Sequence, residues 1–90
     1  MKITYSTALK LIGKDLDNAG LSQYGKQVQT AAGLFKTCDD LDVEATTDQK
    51  IAVCNLLKRI HQQHAVLGYP IFDDIFELIQ DIEQDVKQAA

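Results

Sequence analysis

Apolar side chains recur at alternating three- and four-residue spacings along four stretches of the chain. Nowhere do they alternate with polar ones for the length of a useful strand. That periodicity places each set on one face of a helix, and each face must be covered. The first stretch, Thr4 to Asn18, carries Leu9, Ile12, Leu16 and Ala19, with Ser6 or Thr4 as the capping residue and Gly20 as the stop. The second follows Ser22, read as an N-cap, with Tyr24, Val28, Ala31, Phe35 and Cys38 on the stripe and Leu34 and Leu41 widening it. Gly25 and Gly33 weaken this helix by roughly 1 kcal/mol each against alanine, and they either admit a neighbouring helix or are simply tolerated.

The run Asp39-Asp40-Leu41-Asp42-Val43-Glu44-Ala45 closes that helix and becomes a polar loop. Thr46 with Gln49 has the spacing of a capping box and predicts a helix start. The third stripe is Val53, Leu57, Ile60, His64 and Leu67, broadened by Ile51, Cys54, Leu56 and Ala65. It ends at Gly68-Tyr69-Pro70, where glycine caps and proline forbids continuation. Pro70 suits the first turn of the next helix, whose stripe is Phe72, Ile75, Ile79, Ile82 and Val86, with Ile71, Phe76 and Leu78 beside it. The tail Lys87-Gln88-Ala89-Ala90 is expected to fray. Ninety residues make one domain. Four stripes on short connections predict an all-α fold, an antiparallel up-down four-helix bundle over residues 1–90, with a tight hairpin between helices three and four.

Charge is unevenly spread. Residues 1–38 hold five lysines against Asp15 and Asp17, a balance of +3. Residues 39–90 hold Lys50, Lys58, Arg59 and Lys87 against eleven acids, a balance of -7. An acidic chain lacks the clustered cations that phosphate binding needs, so nucleic acid is not an expected partner. The acidic half suits a cationic partner or is simply a solvated face. The start, Met1 to Ser6, has no uninterrupted apolar run of a leader, and no stretch approaches the ~20 apolar residues of a membrane span. The expectation is a cytoplasmic chain without membrane insertion, in which Cys38 and Cys54 are reduced thiols.

Histidines, cysteines and clustered carboxylates are the side chains that could carry chemistry in this sequence. His61 and His64 stand one turn apart, but two histidines do not complete a metal site, and Lys58 and Arg59 repel a cation. Cys38 and Cys54 have no zinc-like spacing and read as small apolar core residues. A nucleophilic role for Cys54 would need a histidine such as His61 beside it. Asp39/Asp40 and Asp73/Asp74 read as helix-end residues and not as paired acid–base carboxylates. The loop acids Asp40, Asp42 and Glu44 lack the glycine and terminal glutamate of a calcium loop. No catalytic, metal or cofactor site is therefore expected, and the chain reads as a binding protein and not an enzyme.

The candidate contact surface lies at Tyr69-Pro70-Ile71-Phe72. Tyr69 and Phe72 either close the end of the core or stand partly exposed as anchors for a protein partner, with Asp73, Asp74 and Glu77 beside them.

The order of these features resembles the enterocin A-type immunity proteins of lactic acid bacteria. The likeness runs through Gly33-Leu34-Phe35-Lys36-Thr37-Cys38-Asp39-Asp40-Leu41, Asp42-Val43-Glu44-Ala45, Ile51-Ala52-Val53-Cys54-Asn55-Leu56-Leu57-Lys58-Arg59-Ile60 and Phe72-Asp73-Asp74-Ile75-Phe76-Glu77-Leu78-Ile79. It covers roughly residues 9–83 as a match of helix order and stripe, without a signature motif. The resemblance implies a cytoplasmic four-helix protein that protects a bacteriocin producer from its own cationic peptide. It does so by engaging the peptide-occupied receptor, the mannose phosphotransferase system, and not by degrading the peptide. It also implies that partner discrimination lies in the third and fourth helices. Several members of that family continue well beyond the fourth helix, whereas this sequence stops soon after Val86. The rival reading is a small helical adaptor or inhibitor, phage-derived or antitoxin-like, that binds another cytoplasmic protein. A pull-down that recovers a polymerase, nuclease or toxin and no transporter subunit would favour the rival.

Overall fold

The computed structural model describes residues 3–89. Met1 and Lys2 of the N-terminal stretch, and Ala90 of the tail, lie outside them. Four helices are present: α1 (Tyr5–Asn18), α2 (Ser22–Asp40), α3 (Thr47–His64) and α4 (Ile71–Ala89), with a short 3₁₀ turn, Ala65–Leu67, continuing α3. No strand occurs among the described residues. The described residues are all-α, with four helices, as the stripes predict. It is organised as two compact helical hairpins, one in Met1–Ala45 and one in Thr46–Ala90.

In the first hairpin Thr4 caps α1, its Oγ1 accepting from the Thr7 amide at 3.3 Å. Gly20, at φ 84°, ends the helix. Leu21 N–H donates to the Leu16 carbonyl at 2.9 Å and Gly20 N–H to Asp17 at 3.1 Å, the paired bonds of a Schellman cap. This tight exit starts α2 at once, so Leu21 is its capping residue, with no side-chain cap bond, and Ser22 is already helical. The expected Ser22 cap is thereby corrected.

α1 and α2 run antiparallel. Tyr5 meets Phe35 edge-on at 5.9 Å, Ser6 Oγ donates to Asp39 Oδ2 at 2.9 Å, and Gln29 Nε2 donates to Asp17 Oδ2 at 2.9 Å. Gly13 and Gly25 face each other where the helices come closest. The buried stripe of α2 is therefore Gly25, Val28, Ala32 and Phe35. Tyr24, Ala31 and Cys38 flank it half-buried, while Leu34 and Leu41 are exposed. The expected stripe is rotated because the glycine contact turns position 25 toward α1. Gly33 meets nothing within 4 Å and is of the tolerated kind. α2 ends in a second Schellman cap, with Asp42 at φ 54° in the position usually held by glycine. Val43 N–H reaches the Cys38 carbonyl at 2.9 Å and Asp42 N–H that of Asp39 at 3.1 Å.

In the second hairpin the capping box forms as its spacing predicts. Gln49 N–H donates to Thr46 Oγ1 at 3.1 Å and Thr46 N–H to Gln49 Oε1 at 2.8 Å. α3 buries Lys50, Val53, Cys54, Leu57 and Ile60, and α4 buries Ile71, Phe72, Ile75, Leu78, Ile79 and Ile82. His64, Leu56, Ala65 and Val86 are half-buried, and Ile51 and Phe76 are exposed at the stripe margins. Leu67, expected on the α3 stripe, is exposed instead, because the chain tightens into the 3₁₀ turn Ala65–Leu67 and leaves the α-helical period. Lys50 is 6% exposed and pairs with Asp85 at 3.1 Å, while Lys58 pairs with Glu83 at 2.9 Å. These pairs, with His61 beside Phe72 and Phe76, fix α3 and α4 as antiparallel neighbours.

Candidate partner-binding surface

The α3–α4 turn is built by backbone constraints. Ala65–Leu67 tightens the last turn of α3, and Gly68 leaves it in the left-handed region at φ 73°, its N–H bonded to Ala65 at 3.0 Å. Pro70 stands immediately before α4, where its missing N–H costs nothing. The first α4 bonds are short-range: Phe72 N–H to Tyr69 and Asp73 N–H to Pro70, both at 3.1 Å.

This geometry gathers four rings. Tyr69 stacks on Phe72 at 6.3 Å between centroids and 11° between planes. Phe72 meets His61 edge-on at 6.4 Å, and His61 lies against Phe76 at 5.6 Å. The ring series runs from solvent to core and out again: Tyr69 is 43% exposed, Phe72 3% and Phe76 48%. Of the two aromatics read as partly exposed anchors, Tyr69 is one, whereas Phe72 is in the core. Position 72 shares the α4 stripe with Ile75 and Ile79, while position 76 falls on its margin. Phe72 is the floor on which Tyr69 rests, and Phe76 is the second exposed ring. Sequence reading placed Phe76 beside the stripe and so missed it as a surface group. Its position one turn beyond Phe72, between Ile75 and the acid Glu77, was the signal. Val66, 91% exposed, and the exposed Leu67 extend the apolar surface along the turn.

Asp73, Asp74 and Glu77 are all exposed on α4. Asp73 and Asp74 lie in its first turn, where carboxylates complement the helix dipole. Asp39 and Asp40 sit instead in the last turn of α2, where the dipole opposes them, so helix-end capping does not account for that pair. Asp39 is held by Ser6 and Asp40 by Lys36 at 3.4 Å.

Both cysteines are free thiols, Cys38 half-buried and Cys54 buried. Burial pushes the Cys54 thiol above its ordinary range, with Lys58 pulling it down and Glu83 up by smaller amounts. The Lys58 ammonium is raised chiefly by its hydrogen bond to Glu83. Among the described residues no three His, Cys, Asp or Glu side chains converge as a metal site would require, and no helix is long and apolar enough to cross a membrane. No protein-family model, no curated protein and no solved structure matches the chain.

Proposed function

We propose that this chain is a bacteriocin immunity protein, acting inside the producer cell by binding the receptor that the cationic peptide has occupied. The resemblance over residues 9–83 supplies the class. The observation that carries the reading is the exposed Tyr69–Phe76 aromatic surface, braced by Phe72 and His61 and bordered by Asp73, Asp74 and Glu77. Large rings held rigid at a surface are what protein interfaces use as anchors, since little side-chain entropy is lost when they are covered. Protection would come from occupying the receptor complex, with the mannose phosphotransferase system as the partner, and no covalent chemistry is required of any residue.

Two observations test this. A gene for a small cationic peptide with a double-glycine leader should neighbour the gene for this chain. Expression in a sensitive strain should raise tolerance to that peptide. Unchanged tolerance with the protein present at normal levels would sink the reading.

A further inference from the structure

We infer that the α3–α4 turn takes a basic amphipathic helix from its protein partner. Tyr69 and Phe76 meet the apolar face of that helix, and Asp73, Asp74 and Glu77 meet its lysines or arginines. The inference rests on the reading that this turn is the contact surface, and it adds the chemistry of what is bound there.

The charge argument comes from contrast along one helix. Glu83 and Asp85, in the second half of α4, are paired with Lys58 and Lys50 of α3. Asp73, Asp74 and Glu77, in the half beside the exposed rings, have no ion pair within 4 Å among the described residues. The helix dipole accounts for part of the charge at Asp73 and Asp74, but Glu77 lies beyond the first turn, where that field has faded. Uncompensated negative charge is therefore concentrated next to uncovered apolar surface.

This combination selects its occupant. Nucleic acid and anionic lipid are repelled. A wholly apolar partner would dehydrate three carboxylates without giving them counter-ions, which costs more than the rings recover. A partner carrying cations and apolar groups satisfies both. An added strand has no sheet edge to join, because no strand exists among the described residues. A helix presents apolar and charged side chains every three to four residues, which matches acids and rings spread over Tyr69 to Glu77.

The test uses the full chain, labelled with nitrogen-15 and titrated with a synthetic lysine–leucine amphipathic helix of ~18 residues. The same peptide with glutamate in place of lysine serves as control. Amide shifts should cluster at His61 and across residues 66–77, and the acidic peptide should not produce them. Phe76→Ala and the double variant Asp73→Asn/Glu77→Gln should each weaken binding about tenfold or more. Lys14→Ala on α1 should leave it unchanged. Circular dichroism melts confirm that the variants fold. Equal binding of the acidic peptide, shifts centred elsewhere, or surface variants that bind like the parent would each overturn the inference. So would a chain that raises tolerance yet leaves the basic peptide unbound, and that result spares the immunity reading. Binding at the turn without any tolerance would overturn the immunity reading alone.

Discussion

Gly25 of α2 lies so close to Gly13 of α1 that a Cβ added at Gly25 would stand 2.8 Å from the Gly13 carbonyl oxygen and closer still to the Asp17 carboxylate. Backbone cannot yield as a side chain can, so Gly25→Ala should destabilise the first hairpin by about 1–3 kcal/mol through overpacking. At Gly13 an added Cβ would stand 2.6 Å from Gln29 Cγ and 3.1 Å from the Gly25 carbonyl oxygen, so Gly13→Ala should destabilise as well. Gly33 has open space around it, and Gly33→Ala should stabilise by about 0.5–1 kcal/mol through helix propensity alone. Urea unfolding of the three variants checks the order. A Gly25→Ala chain as stable as the parent would refute the close-approach account.

Asp42 occupies the left-handed position of the α2 cap at φ 54°, a conformation that glycine adopts without steric cost. It also stands among Asp39, Asp40 and Glu44. Asp42→Gly should raise stability by about 0.5–1 kcal/mol, removing the Cβ penalty and one like charge. The opposite substitution at the two glycine caps, Gly20→Ala or Gly68→Ala, should lower it by about 1 kcal/mol. Thermal melts at low and high salt separate the terms: the Cβ part persists in salt and the charge part fades.

The contrast between these caps shows what the sequence could and could not reveal. Gly20, Gly68 and the Thr46–Gln49 box were legible because their backbone chemistry is local. The α1 and α4 stripes, and that of α3 as far as Ile60, were legible because large aliphatic groups dominate them, whereas Leu67 fell off the stripe where α3 tightens into a 3₁₀ turn. α2 was misread by about one residue, since its closest contact is made by the absence of a side chain at Gly25. Gly13, between Ile12 and Leu16 on the α1 face, could have suggested it. Lys50 keeps the spacing of the α3 stripe with Val53 and Leu57 but was passed over as a charge, because Asp85, its counter-ion, lies a helix away. The Tyr69–Phe76 surface was half legible: a turn rich in rings was evident, but which ring faces water depends on how α4 is rolled against α3.

Lys50 and Asp85 are unequally exposed, the lysine side chain at 7% and the carboxylate at 36%. Removing the carboxylate should therefore cost more than removing the ammonium. Asp85→Asn removes the carboxylate that lies 3.1 Å from a buried ammonium and should destabilise by about 1–3 kcal/mol. Lys50→Met replaces the stem with an apolar one of similar length and should stay within about 1 kcal/mol of the parent. Chemical denaturation of both, with the double variant, closes the cycle. Equal losses for the two single variants would show the ammonium to be well hydrated.

The Cys54 thiol sets an alkaline limit on the second hairpin. Burial holds its folded value above the ordinary 9.0, so in a window above that value the unfolded chain has lost a proton that the folded chain keeps. The unfolded state then binds fewer protons, and stability falls as pH rises. Lys58, raised above its ordinary 10.5 by Glu83, adds a loss of the same sign at higher pH. The Cys54 contribution is complete below about pH 9 and declines above it. The melting temperature of Cys54→Ala, lower by a constant cavity term, should fall less steeply between pH 9 and 10.5 than that of the parent. At pH 8 the half-buried Cys38 should react with a thiol reagent before Cys54 does.

Phe72 and Phe76 touch the same imidazole, yet they belong to different parts of the molecule. Phe72 is 3% exposed and supports Tyr69, so Phe72→Ala should cost about 3–5 kcal/mol by opening a cavity under the turn. Phe76 is nearly half exposed, and Phe76→Ala should cost about 1 kcal/mol or less, because water already covers much of the ring. In the tolerance assay the order should invert at matched protein level: Phe76→Ala loses protection while remaining folded, whereas a Phe72→Leu chain that keeps the core filled retains it. Loss of protection that tracks melting temperature across both positions would mean that the rings serve stability alone. Protection lost at Phe76 with the melting temperature preserved can arise only from a surface that something else must touch.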